Sequence, residues 1–215
     1  MKKKVNNPWL QIPSEDYEGH MSAPNVMQLQ MLNRIFKDVL DEYEPQSICV
    51  LGCTAGNGFE HLIGREIERV VGIDINTRYV AECRAWFIED VPNLQLVCAD
   101  LNELELSDAS FDFVHAALIF EYVEVEKLIL KTSRWLKAGG LMCIVLQLAG
   151  ENVSAISETE YVSLRLLKPF MHLVHPDNFK EVARNRGIIE IKNSVEEVFP
   201  GKSFYVGLFE KISAQ

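Results

Sequence analysis

The fold is decided by one stretch of the chain, which reads Ile48-Cys49-Val50-Leu51-Gly52-Cys53-Thr54-Ala55-Gly56-Asn57-Gly58 and, after a segment with helix-like spacing, Arg69-Val70-Val71-Gly72-Ile73-Asp74. An apolar run enters a glycine-rich turn, and a second apolar run ends at a carboxylate. This order predicts a strand, a loop, a helix and a second strand. In a parallel sheet it brings loop N–H groups and Asp74 to one edge, where a nucleoside-like cofactor binds.

Strand-like and helix-like segments alternate along the rest of the chain. Strands are predicted over 47–51, 69–74, 94–98, 111–116 and 141–148, the last after a turn at 138–140, and a closing hairpin over 188–198 and 203–212. Helices are predicted between Asn25 and Pro45 and over 59–65, 77–87, 123–135 and 176–185, with Asn76 capping the third of these. Apolar strands separated by helices predict an α/β fold, in which helices cover both faces of a doubly wound, mostly parallel sheet.

Two segments do not fit this alternation. Residues 1–24 contain three prolines among polar residues and predict an irregular arm. The excursion over 149–175, with helix-like spacing over 158–167, predicts a lid-like insertion at the sheet edge that carries the cofactor. We expect residues 1–215 to form a single domain, in which 1–44 are the arm and leading helix.

Composition narrows the possible partners and compartment. The net charge of −10 argues against affinity for nucleic acid, which depends on neutralising phosphates. The five cysteines are odd in number and lack the spacing of zinc ligands, so a reducing cytoplasm and no metal are expected. We find no apolar run long enough for a signal peptide or membrane span, which predicts a soluble protein. The pattern does not determine an oligomeric state.

Further motifs extend the first one into a resemblance to a known family. With Ala99-Asp100 and Phe111-Asp112-Phe113-Val114-His115-Ala116, the glycine turn and Asp74 resemble the class I S-adenosylmethionine-dependent methyltransferases over about 48–146. The resemblance implies a seven-stranded sheet that ends in a reversed hairpin, in agreement with the two terminal strands predicted above. It also implies methyl transfer from S-adenosylmethionine to a small molecule, with S-adenosylhomocysteine as product.

The predicted cofactor site starts at the glycine loop. Gly52 and Gly56 allow a tight turn and close approach to the cofactor's amino-acid part, with helix N-terminal N–H groups facing its carboxylate. Cys53 and Thr54 belong to the same loop. Asp74 follows Gly52 by the roughly 20 residues expected of an acid that accepts hydrogen bonds from ribose hydroxyls.

The remaining cofactor contacts are implied by the resemblance. Ile75 would lie against the adenine, and Asp100 would accept a hydrogen bond from the adenine amino group, with the Leu101 N–H beside it. Asp100 has an alternative role as a residue that caps a turn. Ala116 ends the fourth strand, where the family places backbone against the methionine portion.

Candidates for acceptor chemistry follow the fourth strand and precede the leading helix. Glu121 is predicted to orient an acceptor or take its proton, with a solvated helix start as the equal alternative, and Tyr122 to shape the pocket. Tyr17 and His20 are candidates for an arm that folds over the cofactor, and simple packing is their alternative.

The histidines of the insertion are weaker candidates. Either His172 or His175 has the chemistry of a base near neutral pH. The position of His175 before Pro176 favours a structural role at the start of a helix.

Two departures from the family pattern leave room for weaker cofactor binding, for compensation by another residue, which we favour, or for a protein without activity. Val50 stands where the family usually has an acid, and Thr54 where it has glycine. A methyltransferase-like domain that binds without turnover is therefore one alternative to an active enzyme. A nicotinamide-dependent oxidoreductase is a weaker one, because Thr54 replaces the second glycine of its fingerprint.

Overall fold

The computed structural model describes residues 7–91, 93–150 and 154–213. Residues 1–6 of the predicted arm and 151–153 of the predicted insertion lie outside the described residues. One seven-stranded sheet is present, composed of β1 Ser47–Leu51, β2 Arg69–Asp74, β3 Leu94–Cys98, β4 Phe111–Ala117, β5 Leu136–Gln147, β6 Ile188–Phe199 and β7 Lys202–Lys211. The strand order is β3-β2-β1-β4-β5-β7-β6.

The direction of the strands confirms the predicted sheet. Strands β1 to β5 run parallel, and β7 runs antiparallel between β5 and β6. Strand β1 pairs with β2 on one side and with β4 on the other. Ligands of open α/β sheets bind beyond the carboxyl ends of the strands at such a switch point. The topology therefore places the site beyond Leu51 and Ala117.

Helices cover both faces of this sheet, as predicted. They are α1 Ser14–Ser22, α2 Gln28–Tyr43, α3 Thr77–Phe87, α4 Val125–Trp135 and α5 Pro176–Arg184. Phe36 of α2 and Cys83 of α3 share one apolar core with Phe113. Ile129 of α4 and Phe179 of α5 belong to a second core on the opposite face. Strands buried on both faces need apolar residues at successive positions, which explains their continuous apolar runs.

The N-terminal arm is more regular than predicted. A 3-10 turn at Pro8–Gln11 precedes α1, so the expectation of irregular chain over 1–24 is wrong. Proline suits the first turn of a helix, where a backbone N–H has no partner, and Pro8 occupies this position. Glu15 and Asp16 lie in the first turn of α1, where acidic residues are favoured. The 3-10 turn therefore begins at Pro8, and α1 begins directly after Pro13.

Two predicted helices are shorter than expected. The segment 59–65 forms only the 3-10 turn Phe59–Leu62, because Ile63 already has an extended backbone, with φ −63° and ψ 129°. The segment 158–167 likewise forms only the 3-10 turn Val162–Leu167.

The predicted turn before β5 is an irregularity inside the strand. Phe111 pairs with Leu136 and Phe113 with Leu141, so residues 137–140 bulge out between the two pairs. The glycines therefore mark a bulge. No helix within the described part of the chain combines the length and apolarity needed to cross a membrane.

Candidate functional site

A cleft lies beyond the carboxyl ends of β1 to β4. We call the segments 52–56, 73–75, 99–102 and 117–119 the floor, and the arm 7–22 with the insertion 154–171 the roof. Both contribute residues to the cleft wall, which encloses about 1070 Å³ counted to its open mouth. This volume is at the upper end of ligand pockets, roughly 1,000 Å³.

The glycine loop forms its hydrogen bonds within the protein. The N–H groups of Gly52 and Cys53 both donate to the Ile73 carbonyl, at 2.8 and 2.9 Å. The N–H of Thr54 donates to Asp74 Oδ2 at 3.0 Å. These three amides are therefore already paired, and the loop leads into the 3-10 turn Phe59–Leu62 where an α-helix was predicted.

The two loop glycines are needed for different structural reasons. Gly52 lines the cleft with a φ of 68°, and a Cβ there would lie 3.1 Å from Ile119 Cδ1. Gly56 does not line the cleft, and a Cβ at this position would lie 2.7 Å from Phe87 Cε2. Gly56 therefore permits close packing of the loop on α3.

Two larger residues on the floor adopt a left-handed backbone. Thr54 has a φ of 48° and Leu118 a φ of 52°, and both line the cleft. Non-glycine residues in this region carry strain of about 1–3 kcal/mol, which is commonly found at functional sites. The Leu118 N–H donates to the Val145 carbonyl at 2.9 Å, which fixes the turn after β4.

Asp74 connects the ends of β1 and β2. Its side chain lines the cleft with 7% of the residue exposed, and its two oxygens accept from Asn76 N at 2.8 Å and Thr54 N at 3.0 Å. Burial raises the pKa of this carboxyl to about 6, while the backbone hydrogen bonds act in the opposite direction. Each oxygen retains a second lone pair for a hydroxyl of a ligand.

The end of β3 offers a second acid. Asp100 Oδ1 accepts from Asn102 N and Asn102 Nδ2, both at 2.9 Å, so the alternative that Asp100 caps a turn is confirmed. The same residue lines the cleft beside Ile75 and Leu101. Within the described residues, Asp100 Oδ2 and the Leu101 N–H form no hydrogen bond. This acceptor and donor pair is complementary to the amino group and the adjacent ring nitrogen on one edge of an adenine.

The roof is one layer built from the arm and the insertion. Ser163 Oγ donates to Asp16 Oδ2 at 2.5 Å, and His20 Nδ1 lies 2.8 Å from Thr159 Oγ1. A small apolar cluster joins the same two segments and contains Ile12, Ile156, Leu164 and Leu167. Gly19 of α1 packs so closely on Tyr161 that a Cβ would lie 2.2 Å from its Cζ.

Aromatic rings line the underside of the roof. The ring of Trp9 makes edge contacts with Tyr17 and Tyr122, with centroids 5.8 and 5.0 Å apart. All three residues line the cleft, as does His20. Burial raises the pKa of Tyr17, and the nearby Asp74 carboxyl acts in the same direction. These phenols are therefore neutral at physiological pH.

Four predicted site residues are absent from the cleft wall: Cys53, Gly56, Ala116 and Glu121. Cys53 and Ala116 are buried in the two cores of the sheet, where they pack beneath the floor. Their neighbours Gly52, Thr54 and Ala117 line the cleft instead. Strand β4 ends at Ala117, one residue beyond its predicted end. Because successive side chains of a strand lie on opposite faces, Ala116 packs in the core and Ala117 lines the cleft.

Glu121 is fully buried, so the alternative of a solvated helix start is wrong. Its Oε1 accepts from Gln147 N at 2.8 Å, and its backbone carbonyl accepts from His172 N at 3.0 Å. Burial raises the pKa of this carboxyl to about 7, and Oε2 has no partner within the described residues. Glu121 therefore connects the end of β5 to the insertion, below the cleft wall.

The histidines of the insertion lie outside this cleft. His175 Nδ1 accepts from Asp177 N at 3.3 Å and caps α5, which confirms its predicted structural position. His172 lines a separate groove beside α4 and α5.

Sequence reasoning missed several wall residues. Trp9, Gln28 and Gln147 line the cleft, as do Ile156 and Leu164 of the insertion. The sequence around each of these residues contains no recognisable motif. The residues come together only because the arm and the insertion fold over the end of β5.

Fold and cleft together define a class of protein. The chain has the fold of the class I S-adenosylmethionine-dependent methyltransferases, whose cofactor is S-adenosylmethionine. The family model described as a methyltransferase domain matches residues 49–144, which include the whole floor from Gly52 to Ile119. This match replaces the oxidoreductase alternative.

Individual relatives agree with this class. Phosphoethanolamine N-methyltransferase 1 of Triticum aestivum is 28% identical over 163 residues, which cover 67% of this chain and 32% of the wheat protein. The chain thus spans about a third of the length of that relative.

Solved structures share the fold at low sequence identity. A Haloferax volcanii methyltransferase, in complex with the Trm112 methyltransferase activator, has a TM-score of 0.70 at 16% identity, covering 94% of this chain and 95% of its own. Phosphoethanolamine N-methyltransferase 2 of Haemonchus contortus, in complex with S-adenosyl-L-methionine, has a TM-score of 0.63 at 17% identity and covers 94% and 60%.

Proposed function

We propose that the chain is an active enzyme that transfers the methyl group of S-adenosylmethionine to a small-molecule acceptor. The observation that carries the proposal is the convergence of Asp74, Asp100 and Gly52 on one cleft under a packed roof. The roof leaves a pocket of small-ligand size, and the net charge of −10 disfavours a nucleic acid acceptor.

The residues of the floor fit the cofactor's adenosine. Asp74 would accept hydrogen bonds from the ribose hydroxyls, and Ile75 would pack against the adenine. Asp100 Oδ2 and the Leu101 N–H, which have no partner within the described residues, would meet the adenine's amino group and a ring nitrogen. The left-handed turn at Leu118, which lines the cleft, would bring backbone to the methionine portion of the cofactor.

Chemistry at this site depends mainly on orientation. Bound S-adenosylmethionine supplies a methyl group that its sulfonium activates for in-line displacement. The floor and roof align donor and acceptor and exclude water, an effect that contributes roughly 7–11 kcal/mol in well-aligned reactions. Tyr17, His20 and Tyr122 would shape the acceptor side, and Glu121 would hold the strand end beneath it.

The departure at Val50 has a structural compensation. Val50 is buried in the apolar core and pairs with Gly72 and His115. Asp74 fixes the loop in its place, since its Oδ2 accepts from Thr54 N. This contact supports an active enzyme over a domain that only binds.

The compartment belongs to the same proposal. All five cysteines are free thiols, which fits the reducing cytoplasm. We also infer that the arm and residues 149–175 act as a lid of a single domain.

Thermal unfolding first tests which cofactor the protein binds. S-adenosylmethionine and S-adenosylhomocysteine at 100 times their dissociation constants should each stabilise the protein by about 2.7 kcal/mol, and NAD should not. A shift with NAD alone would contradict the proposal. S-adenosylhomocysteine formation across a metabolite panel then tests turnover, and cofactor binding without product would favour the inactive domain.

A further inference from the structure

The cleft wall has an unusual charge composition. Among the described residues it contains no lysine and no arginine, and its two acids, Asp74 and Asp100, belong to the floor. Proteins bind phosphate and carboxylate groups with basic side chains or with free backbone amides. The loop amides of Gly52 and Thr54 already have partners, so the described wall offers an anion no basic side chain and neither of these two loop amides.

The buried cation nearest the roof is held by the protein itself. Lys202 is 2% exposed, and its Nζ donates to the carbonyls of Ser154 at 3.2 Å and Ala155 at 2.6 Å. Ala155 lines the cleft and Lys202 does not. Burial lowers the pKa of His20, and the Lys202 charge lowers it further, so His20 is neutral at pH 7.

Two buried amides are free to recognise a ligand. Gln28, at the start of α2, and Gln147, at the end of β5, are 5% and 4% exposed and line the cleft. Within the described residues neither side-chain amide forms a hydrogen bond, although Gln147 N is held by Glu121. Both amides face the cleft, so a ligand that fills it has to hydrogen-bond them or leave them without a partner, which is costly.

Apolar surface surrounds these amides. Trp9, Tyr17 and Tyr122 form a contiguous ring cluster, and Ile156 and Leu164 cover it from the insertion. Such a wall suits an alkyl or aromatic body with few polar groups.

We propose that the acceptor is an uncharged molecule with an apolar body, whose polar group is hydrogen-bonded by the amides of Gln28 and Gln147. The inference rests on the proposed function, because it assigns the substrate class of the same cleft. An anionic acceptor would bury its charge without a basic side chain to pair with, which is unfavourable. Phosphoethanolamine, in the names of two relatives, carries a phosphate and lies outside this class.

Matched probes test the class directly. The full chain is saturated with S-adenosylhomocysteine, and ligand binding is measured by ligand-detected NMR and calorimetry. The ligands are a fragment library in which every carboxylic acid is paired with its methyl ester. Phenol, phenyl phosphate and phosphoethanolamine are added as further probes. Uncharged members should bind about 100-fold more tightly than their anionic partners. Equal or tighter binding of the anionic members, or no uncharged ligand, would overturn the inference.

A designed variant tests the two amides. Gln147→Lys places a cation in the wall and should reverse the preference within each pair, whereas Gln147→Met should weaken the uncharged ligands without favouring anions. Glu197→Lys, at an exposed position of β6, is the control for added charge. If Gln147→Lys leaves the preference unchanged, the assignment to this amide is wrong.

Calorimetry with S-adenosylmethionine alone separates the two proposals. Absence of cofactor binding contradicts the proposed function. Cofactor binding together with a preference for anionic acceptors contradicts only this inference.

Discussion

The floor and the roof of the cleft are built in different ways. The floor follows from strand ends: Asp74 and Asp100 stand where β2 and β3 stop, and the sheet order fixes their separation. The roof depends on contacts between segments far apart in sequence, such as His20 with Thr159. The proposed cofactor side is therefore anchored by the core, while the proposed acceptor side can change without altering the sheet.

Removing the floor's central acid should have the largest effect on binding. Asp74→Ala removes a charged acceptor of ribose hydrogen bonds, each worth about 1.5–3 kcal/mol, so affinity for S-adenosylmethionine should fall about 100-fold or more. Isothermal titration calorimetry measures this loss, and circular dichroism checks that the sheet is retained. Asp108→Ala, at an exposed ion pair with Arg134, is the matched control. Unchanged affinity would refute the ribose assignment.

The core beneath the floor should lose stability in acid. His115 is buried beside Phe36 and Phe113, and burial lowers its pKa to about 4 from the ordinary 6.5. The unfolded chain therefore binds the proton more tightly, and this contribution to the free energy of unfolding falls as pH drops from 6.5 to 4. By linkage the loss at pH 4.5 is about 2.5 kcal/mol.

Urea titrations at pH 8 and pH 4.5 measure this loss. His115→Gln should remove most of the His115 share of the pH dependence, whereas His175→Gln, at an exposed helix cap, should leave it in place. An identical pH dependence in wild type and His115→Gln would show that other groups cause the acid sensitivity.

One methyl group added to α1 should disrupt the packing of the roof and weaken cofactor binding. Gly19→Ala improves helix propensity by about 1 kcal/mol, yet its Cβ would overlap the ring of Tyr161. We expect about tenfold weaker S-adenosylmethionine binding, equivalent to about 1.4 kcal/mol, because α1 must shift away from the insertion. Calorimetry on Gly19→Ala, with and without Tyr161→Leu, tests this. Failure of Tyr161→Leu to restore affinity would place the defect elsewhere.

Relieving strain in the glycine loop should have the smallest effect. Thr54→Gly removes a β-branched residue from a φ of 48°. The greater freedom of glycine in the unfolded chain offsets part of this gain, so we expect stabilisation of about 1 kcal/mol or less. Urea unfolding measures it, with Thr77→Gly, at the right-handed start of α3, as a control that should destabilise. Destabilisation by Thr54→Gly would mean that the threonine side chain supports the loop.

Sequence reasoning succeeded where local pattern and tertiary structure agree. The bounds of β1, β2, β3 and α3 match the predictions, because their apolar runs end at Gly52, Asp74, Ala99 and the cap at Asn76. Nine of the thirteen predicted site residues line the cleft, as the switch-point topology requires: Gly52, Thr54, Asp74, Ile75, Asp100, Leu101, Tyr17, His20 and Tyr122.

The remaining features depend on long-range packing. Ile12 is buried only because Ile156 and Leu164 fold over it, and no local pattern signals that contact. Left-handed backbone at Thr54 and Leu118 contradicts residue preference, so propensity predicts the opposite. The paired amides of the glycine loop likewise follow from the position of Ile73 on the neighbouring strand.

The antiparallel strand β7 has a consequence for biosynthesis. It lies between β5 and β6, although it is made after both. Until residues 202–211 leave the ribosome, β5 presents an open row of backbone donors and acceptors on its outer edge. Such an edge can pair with another nascent chain, so this protein is most prone to aggregate before β7 is made, when strands β1 to β5 are already synthesised.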